Sequence, residues 1–193
     1  MTTAEQWLQG ARPKTLYAAI APVLVGTAFA GYNASLLHFL LALSVSLSLQ
    51  IGVNYANDYS DGIKGTDNDR LGPIRLVASG LAKPNTVRSA AFLSFALAAI
   101  SGLLLSYRTS WVLIPIGLIS IAAAWGYTAG SKPYGYMGFG EVSVFIFFGV
   151  IATNGTYYVQ VEEFSSQVLL ASFALGALSC AILVLNNLRD LPK

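Results

Sequence analysis

The chain alternates long apolar runs with short polar punctuation. Six runs stand out, over about residues 15–32, 36–57, 86–107, 111–127, 139–159 and 167–188. None shows the two-residue alternation of a membrane-barrel strand. Several reach the roughly 20 residues that cross a hydrocarbon layer as helix. In lipid a helix satisfies its own main-chain polar groups, whereas an open strand has no partner for them. The pattern therefore predicts an all-α fold: a polytopic transmembrane bundle of about six spans, forming a single domain over residues 1–193. Pro22 and Pro115 fall inside spans and are expected to kink them.

Composition agrees with that reading. The chain is 55% hydrophobic and 10% charged, against about 25% charged in soluble domains, with a mean hydropathy of +0.61. A net charge of +2 and the absence of a basic stripe with interleaved aromatics argue against a nucleic-acid partner. One cysteine, Cys180, excludes an intrachain disulfide and a Cys-rich metal site. The N-terminal MTTAEQWLQGARPKTLY is polar for too long to be a signal peptide, so the first span is expected to be retained. Charge also orients the chain. With the N-terminus in the cytoplasm, ten basic residues fall inside and only Arg108 outside, which predicts a protein of the cell (inner) membrane with its polar loops facing the cytoplasm.

The polar stretch NYANDYSDGIKGTDNDR, residues 54–70, then changes the picture. It holds Asp58, Asp61, Asp67 and Asp69, four of the nine acidic residues, directly after an apolar run. Asn54, Asp58 and Asp61 fall at i, i+4 and i+7, on one face of a helix's last turns, and Asn57 borders that face. Carboxylates this close repel unless a cation bridges them, and the negative end of a helix dipole adds to the cost. Oxygen donors without His or Cys point to magnesium, which takes one or two carboxylates together with substrate phosphates. The plainer alternative is a solvated acidic loop. The segment opens a loop over 58–86, long enough to be functional. NDYSD (57–61) is echoed by NNLRD (186–190), each closing an apolar run that ends on the same side.

Cations suited to phosphate share that side: Arg12, Lys14, Arg70, Arg75, Lys83 and Lys132. The positive-inside rule alone would place such residues there; Arg75 and Lys132 stand out because Gly and Pro bound their loops. In WGYTAGSKPYGYMGFGE, residues 125–141, the plainer reading of Tyr127, Tyr134 and Tyr136 is an interfacial aromatic belt. Glu141 reads as a helix N-terminal charge or a polar group of the site, and Asn154 is expected to satisfy a neighbouring helix. His38 suggests nothing catalytic. Together these residues describe a magnesium-dependent diphosphate site at the cytoplasmic mouth of a helical bundle, with a lipid diphosphate as the natural ligand.

NDYSD followed by GIKGTDNDR resembles the first Asp-rich motif of the UbiA superfamily of intramembrane prenyltransferases, and NNLRD resembles the start of the second. ARPKTL, the GTD extension, GPIRLVASG and YTAGSKPYGYMGFGE are most similar to the branch that prenylates 1,4-dihydroxy-2-naphthoate. The resemblance implies a bundle of about nine membrane helices with two Asp-rich loops facing across a central cavity. It implies Mg²⁺ as cofactor, held by Asn57, Asp58, Asp61 and Asp190, with Asp58, Asp61, Asp190 and Lys132 catalytic. Asn54, Arg70, Arg75, Lys132 and Asn186 would bind the substrate diphosphate. Asp67, Tyr127 and Arg12 would lie toward the acceptor. The implied reaction moves a polyprenyl group from polyprenyl diphosphate to dihydroxynaphthoate with loss of CO₂, giving a demethylmenaquinone. The family's second motif continues beyond Asp190 while this chain stops at Lys193, so the sequence is expected to be a truncated form of a larger bundle. Within the family, 4-hydroxybenzoate or homogentisate are alternative acceptors. A membrane transporter or lipid-binding protein is the rival from another class, and it predicts ionisable groups deep in the spans.

Overall fold

The computed structural model describes residues 2–65, 74–130 and 133–189. All six predicted apolar runs are helical, and no strand occurs among the described residues. A short helix α1 (Ala4–Gly10) opens with a capping box, in which Thr3 accepts from the Gln6 amide and Gln6 answers Thr3. A 3₁₀ turn (Pro13–Thr15) leads into α2 (Tyr17–Ala30), and the chain bends by 55° between them. Arg12, whose φ of 53° lies in the left-handed region, and Pro13 after it end α1 and open the 3₁₀ turn. The bend lies between Thr15 and Tyr17, and Pro22 lies inside α2 without interrupting it.

Helix α3 (Leu36–Lys64) has 29 residues, a length of about 43 Å against a hydrocarbon core of about 30 Å. It is longer than a single perpendicular crossing requires. The expected loop over 58–86 is shorter than the sequence predicts, because α3 runs on to Lys64 and α4 (Pro84–Arg108) begins at Pro84. Hydropathy falls after Val53, but the polar side chains that follow find partners and the helix continues. Helix α5 (Leu113–Gly126) is short, at 14 residues. Pro115 sits in its first turn, where a missing N–H breaks no intrahelical bond, so it starts the helix and does not kink it.

The fifth run is composite. Helix α6 (Gly140–Val144) passes through a π-helical stretch (Phe145–Ile151) into α7 (Ala152–Val161). Asn154 donates to Val150 O at 2.9 Å within this run, and so stabilises its own helix where a neighbour was expected. Helix α8 (Ser166–Arg189) closes the described bundle. Among the described residues α3, α4, the Gly140–Val161 run and α8 are each long and apolar enough to cross a membrane. The bent α1–α2 pair brings the number to five when taken as one span, and α5 is shorter, so four or five spans stand where six were expected. Exposed Phe92, Leu93, Leu97 and Ile100 give α4 an apolar outer face suited to lipid.

Packing places the polar ends together. Helix α3 packs most extensively on α4, α2 on α7, and the π stretch on α8. A buried cluster of Ala11, Tyr55, Ala56, Leu76, Val87, Ala91 and Phe95 ties the N-terminal segment and residue 76 to α3 and α4. At the opposite end, Gln160 of α7 staples the start of α3. Its Oε1 accepts from Ser35 N at 2.7 Å and its Nε2 donates to Ser35 O at 3.3 Å. Replacing Gln160 with Ala leaves both main-chain groups without this partner and is expected to lower stability by about 1–3 kcal/mol. Thermal unfolding in detergent measures this; an unchanged midpoint would remove Gln160 from the account.

Candidate functional site

The bundle encloses a cavity of about 1150 Å³, larger than the roughly 300–1,000 Å³ of ordinary small-molecule pockets. One end is polar, lined by Arg12, Lys14, Asn57, Asp61, Arg75 and Tyr136. The other runs between apolar side chains such as Leu49, Leu103, Leu105, Leu113, Ile116 and Ile121. A ligand with a charged head and a hydrocarbon tail matches both ends.

The polar end is organised by the last turns of α3. Asp61 is almost wholly buried, with one carboxylate oxygen 3.8 Å from Arg75 Nη2. The other oxygen accepts from the Tyr136 hydroxyl. A buried ion pair repays its desolvation only when further hydrogen bonds complete it, and Tyr136 supplies one. The sequence reading set Tyr136 aside as interfacial, because its partner lies 75 positions away. The nearest signal was its place in a Gly-rich turn beside the predicted site.

Asp58 is also buried, 1% exposed, but it faces elsewhere. Its two oxygens accept the main-chain N–H groups of Leu76 at 2.7 Å and Val77 at 3.0 Å. These amides open a tight turn closed by Ser79 N to Arg75 O and Gly80 N to Val77 O, both 3.0 Å. The turn lies directly on α3 because residue 62 is glycine. A Cβ there would stand 2.4 Å from Val77 Cγ1, too close for any larger residue without displacing the turn.

Asn54 has its side chain engaged. Its Nδ2 donates to Ala11 O at 2.8 Å and Thr15 Oγ1 at 3.1 Å, and its Oδ1 accepts from Gln50 Nε2 at 3.2 Å. Gln50, one turn earlier, also donates to Thr15 at 3.2 Å. Sequence reasoning passed over it, although a Gln within LSLQIGV four residues before Asn54 was a readable signal. On a third side Ser60 donates to Thr128 O at 2.6 Å, and Thr128 Oγ1 donates to Ala56 O at 3.2 Å. These bonds hold the start of the 127–136 segment against α3. Tyr134 donates to Ala123 O at 2.8 Å. Burial pushes the Tyr134 phenol up, partly opposed by its hydrogen bond with Ser143, so it stays protonated as that donor at neutral pH.

Of the residues predicted for the site, the structure brings Asn54, Asn57, Asp61, Arg75, Arg12, Tyr127 and Asn186 to one cavity wall. Asn186, on the last turn of α8, accepts from Arg189 Nη1 at 3.2 Å. Asp58 is not among the cavity-lining residues. Asp67, Arg70, Lys132 and Asp190 lie outside the described residues. Glu141 satisfies both of its readings, standing in the first turn of α6 and on the cavity wall. The NDYSD and NNLRD echo is spatial as well, since Asn57 and Asn186 line the same space. Among the described residues no three His, Cys, Asp or Glu side chains form a metal-holding group. Asn57 and Asp61 offer a hard, oxygen-only pair, which fits an ion that completes its shell from water and substrate phosphates.

Comparison with known proteins agrees with this geometry. A Mycobacterium tuberculosis protein named 1,4-dihydroxy-2-naphthoate octaprenyltransferase is 55% identical over 100% of this chain and 66% of its own length. The Escherichia coli protein of the same name is 38% identical over 99% of this chain and 65% of its own. A Bacillus subtilis protein of that name is 34% identical over 94% and 60%. The chain thus spans a little under two thirds of these relatives. Residues 19–193 match the UbiA prenyltransferase family, most of the chain including both polar motifs. On this match the chain belongs to the UbiA prenyltransferase family.

Proposed function

We propose that the cavity binds a polyprenyl diphosphate and that the protein transfers its prenyl group to 1,4-dihydroxy-2-naphthoate with loss of CO₂. The observation that carries this reading is the Arg75–Asp61–Tyr136 cluster at the polar mouth of a long apolar cavity. The names of the relatives supply the acceptor. Arg12, Lys14 and Arg75 meet the diphosphate oxygens, joined by Arg70, Lys132 and Asn186, while the isoprenoid tail runs between α3, α4 and α5. Asn57 and Asp61, with Asp190, would hold Mg²⁺, which would supply neutralisation of charge on the leaving diphosphate.

The chain's own groups do the rest. Arginine forks stabilise the charge that develops as the allylic C–O bond breaks and diphosphate departs with the bonding pair. The apolar wall excludes water, which would otherwise capture the prenyl cation. The electron-rich ring attacks at its carboxylated carbon, and CO₂ leaves its electron pair to the ring, giving demethylmenaquinone in its quinol form. Asp67 and Tyr127 lie toward the acceptor in this reading, while Arg12, expected there from the sequence, is assigned instead to the diphosphate because it lines the polar mouth with Lys14 and Arg75. The excess of basic residues around the polar mouth supports a cytoplasmic face of the cell membrane for it in this reading.

The test uses the complete protein in membranes, with a long-chain polyprenyl diphosphate, either dihydroxynaphthoate or 4-hydroxybenzoate, and Mg²⁺ added or chelated. Magnesium-dependent prenylation of the naphthoate, with CO₂ released, is expected by mass analysis. Product from the benzoate alone would overturn the acceptor; no product from either would overturn the enzyme reading. In the same assay Tyr136→Phe is expected to lower kcat/KM by about ten- to a hundredfold, the worth of one hydrogen bond to a charged group.

A further inference from the structure

We infer that the acidic motif of α3 is divided between two tasks, and that Asp58 is a positioning residue for Arg75 and not a metal donor. The inference rests on the diphosphate reading above. Asn57 and Asp61, one turn apart, line the cavity, as does Asn54, whereas Asp58 does not. Asn54 and Asp58, also one turn apart, spend their side chains on main-chain groups of other segments. Asn54 grips Ala11 O, the carbonyl just before Arg12. Asp58 grips Leu76 N and Val77 N, the amides just after Arg75. Each therefore holds the backbone beside a cation that lines the polar mouth.

Chemistry favours this division. Each Asp58 oxygen is aimed at a main-chain amide by a short N–H bond, which orients the carboxylate toward the 76–77 turn. Asp58 is 1% exposed and does not line the cavity, so reaching a metal there would require it to turn away from both amides. The turn it holds is pressed on Gly62 and packed through the buried Leu76. Arg75 emerges from that turn to meet Asp61 at 3.8 Å. One helix thus supplies ligand-facing donors and, about 60° round its axis, the clamps that aim the cationic segments at the same ligand.

The test compares Asp58→Asn with Asp61→Asn in the complete protein, using Mn²⁺ as a spectroscopic probe and inorganic pyrophosphate as the anion. Asp58→Asn is expected to weaken pyrophosphate at saturating Mn²⁺ by about tenfold or more. Mn²⁺ affinity at saturating pyrophosphate should stay within about threefold of the parent. Asp61→Asn should instead weaken Mn²⁺ by about tenfold or more. On an Arg75→Ala background Asp58→Asn should cost pyrophosphate binding no more than about a further twofold, because both act through one group. Loss of Mn²⁺ affinity in Asp58→Asn matching that of Asp61→Asn, or full additivity with Arg75→Ala, overturns the inference. If Asp58→Asn does not fold, hydrogen exchange on the parent protein decides. Leu76 and Val77 amides must be protected without metal or pyrophosphate, and exchange as fast as open chain would overturn the clamp. A parent that binds Mn²⁺–pyrophosphate but prenylates nothing defeats the proposed reaction alone. A parent that binds neither defeats both.

Discussion

Asp61→Asn is expected to reduce prenyl transfer by about a thousandfold or more while the protein still inserts and folds. The substitution keeps shape and removes charge at the point where three things meet. Asp61 faces the cavity beside Asn57, pairs with Arg75 at 3.8 Å and accepts from Tyr136. Without its charge the guanidinium is left buried against a neutral amide, and the site loses one of its two described oxygen donors for a cation. Removing a single preorganised electrostatic group typically costs about 10²–10³ in rate, and loss of an anionic metal donor adds to that. The check is product formation per folded protein, with the magnesium needed for half-maximal rate read alongside. Transfer within tenfold of the parent, at unchanged magnesium requirement, would remove Asp61 from the reaction. The contrast with Asp58 matters: a change there also damages activity, but through the aim of Arg75, and added magnesium does not restore it.

The second large effect concerns packing far from any charge. Gly149→Ala is expected to destabilise the bundle by about 1–3 kcal/mol, whereas Gly155→Ala, one helical run later, should be neutral or stabilising. A Cβ at residue 149 would stand 2.6 Å from Gly176 Cα and 2.8 Å from Ser172 O, both on the α8 backbone. At residue 155 a Cβ meets nothing within 4 Å. Contact with backbone cannot be relieved by a rotamer change, so α8 must move away. Between membrane helices there is no hydrophobic force to resist that, only close packing. Helix α8 carries Ser179, Leu183 and Asn186 of the cavity wall, so its displacement also opens the site. Thermal unfolding of the two variants in one detergent provides the measurement. Equal midpoints would show that the Gly149–Gly176 approach is not what holds α8.

Hydropathy alone located every apolar helical run, because apolar length can be read without any tertiary contact. Of the six runs expected to cross, four or five are long enough, and α5, at 14 residues, is shorter than a span. Composition excluded soluble classes. The i, i+4, i+7 spacing grouped Asn54, Asp58 and Asp61 on one face with Asn57 at its border, and of these Asn54, Asn57 and Asp61 line the cavity. The matching NNLRD pointed to Asn186, which lines it too. What lay beyond this reading depended on partners distant along the chain. Helix α3 runs seven residues past the predicted span end at Asn57, to Lys64. Its acids are satisfied there by amides 18 and 19 positions later and by a tyrosine hydroxyl 75 positions later. The π stretch at Phe145–Ile151 answers Gly176 across the bundle and leaves no local signature.

The same limit explains why four polar residues on one helix looked like a single cluster. Period and charge are properties of a segment and can be read from it. Which way a buried carboxylate spends its hydrogen bonds is a property of the fold, because the donors that compete for it arrive from other segments. Only the folded bundle turned Asn57 and Asp61 toward the cavity, gave Asp58 to the turn beside Arg75, and brought Tyr136 from an interfacial belt into the site.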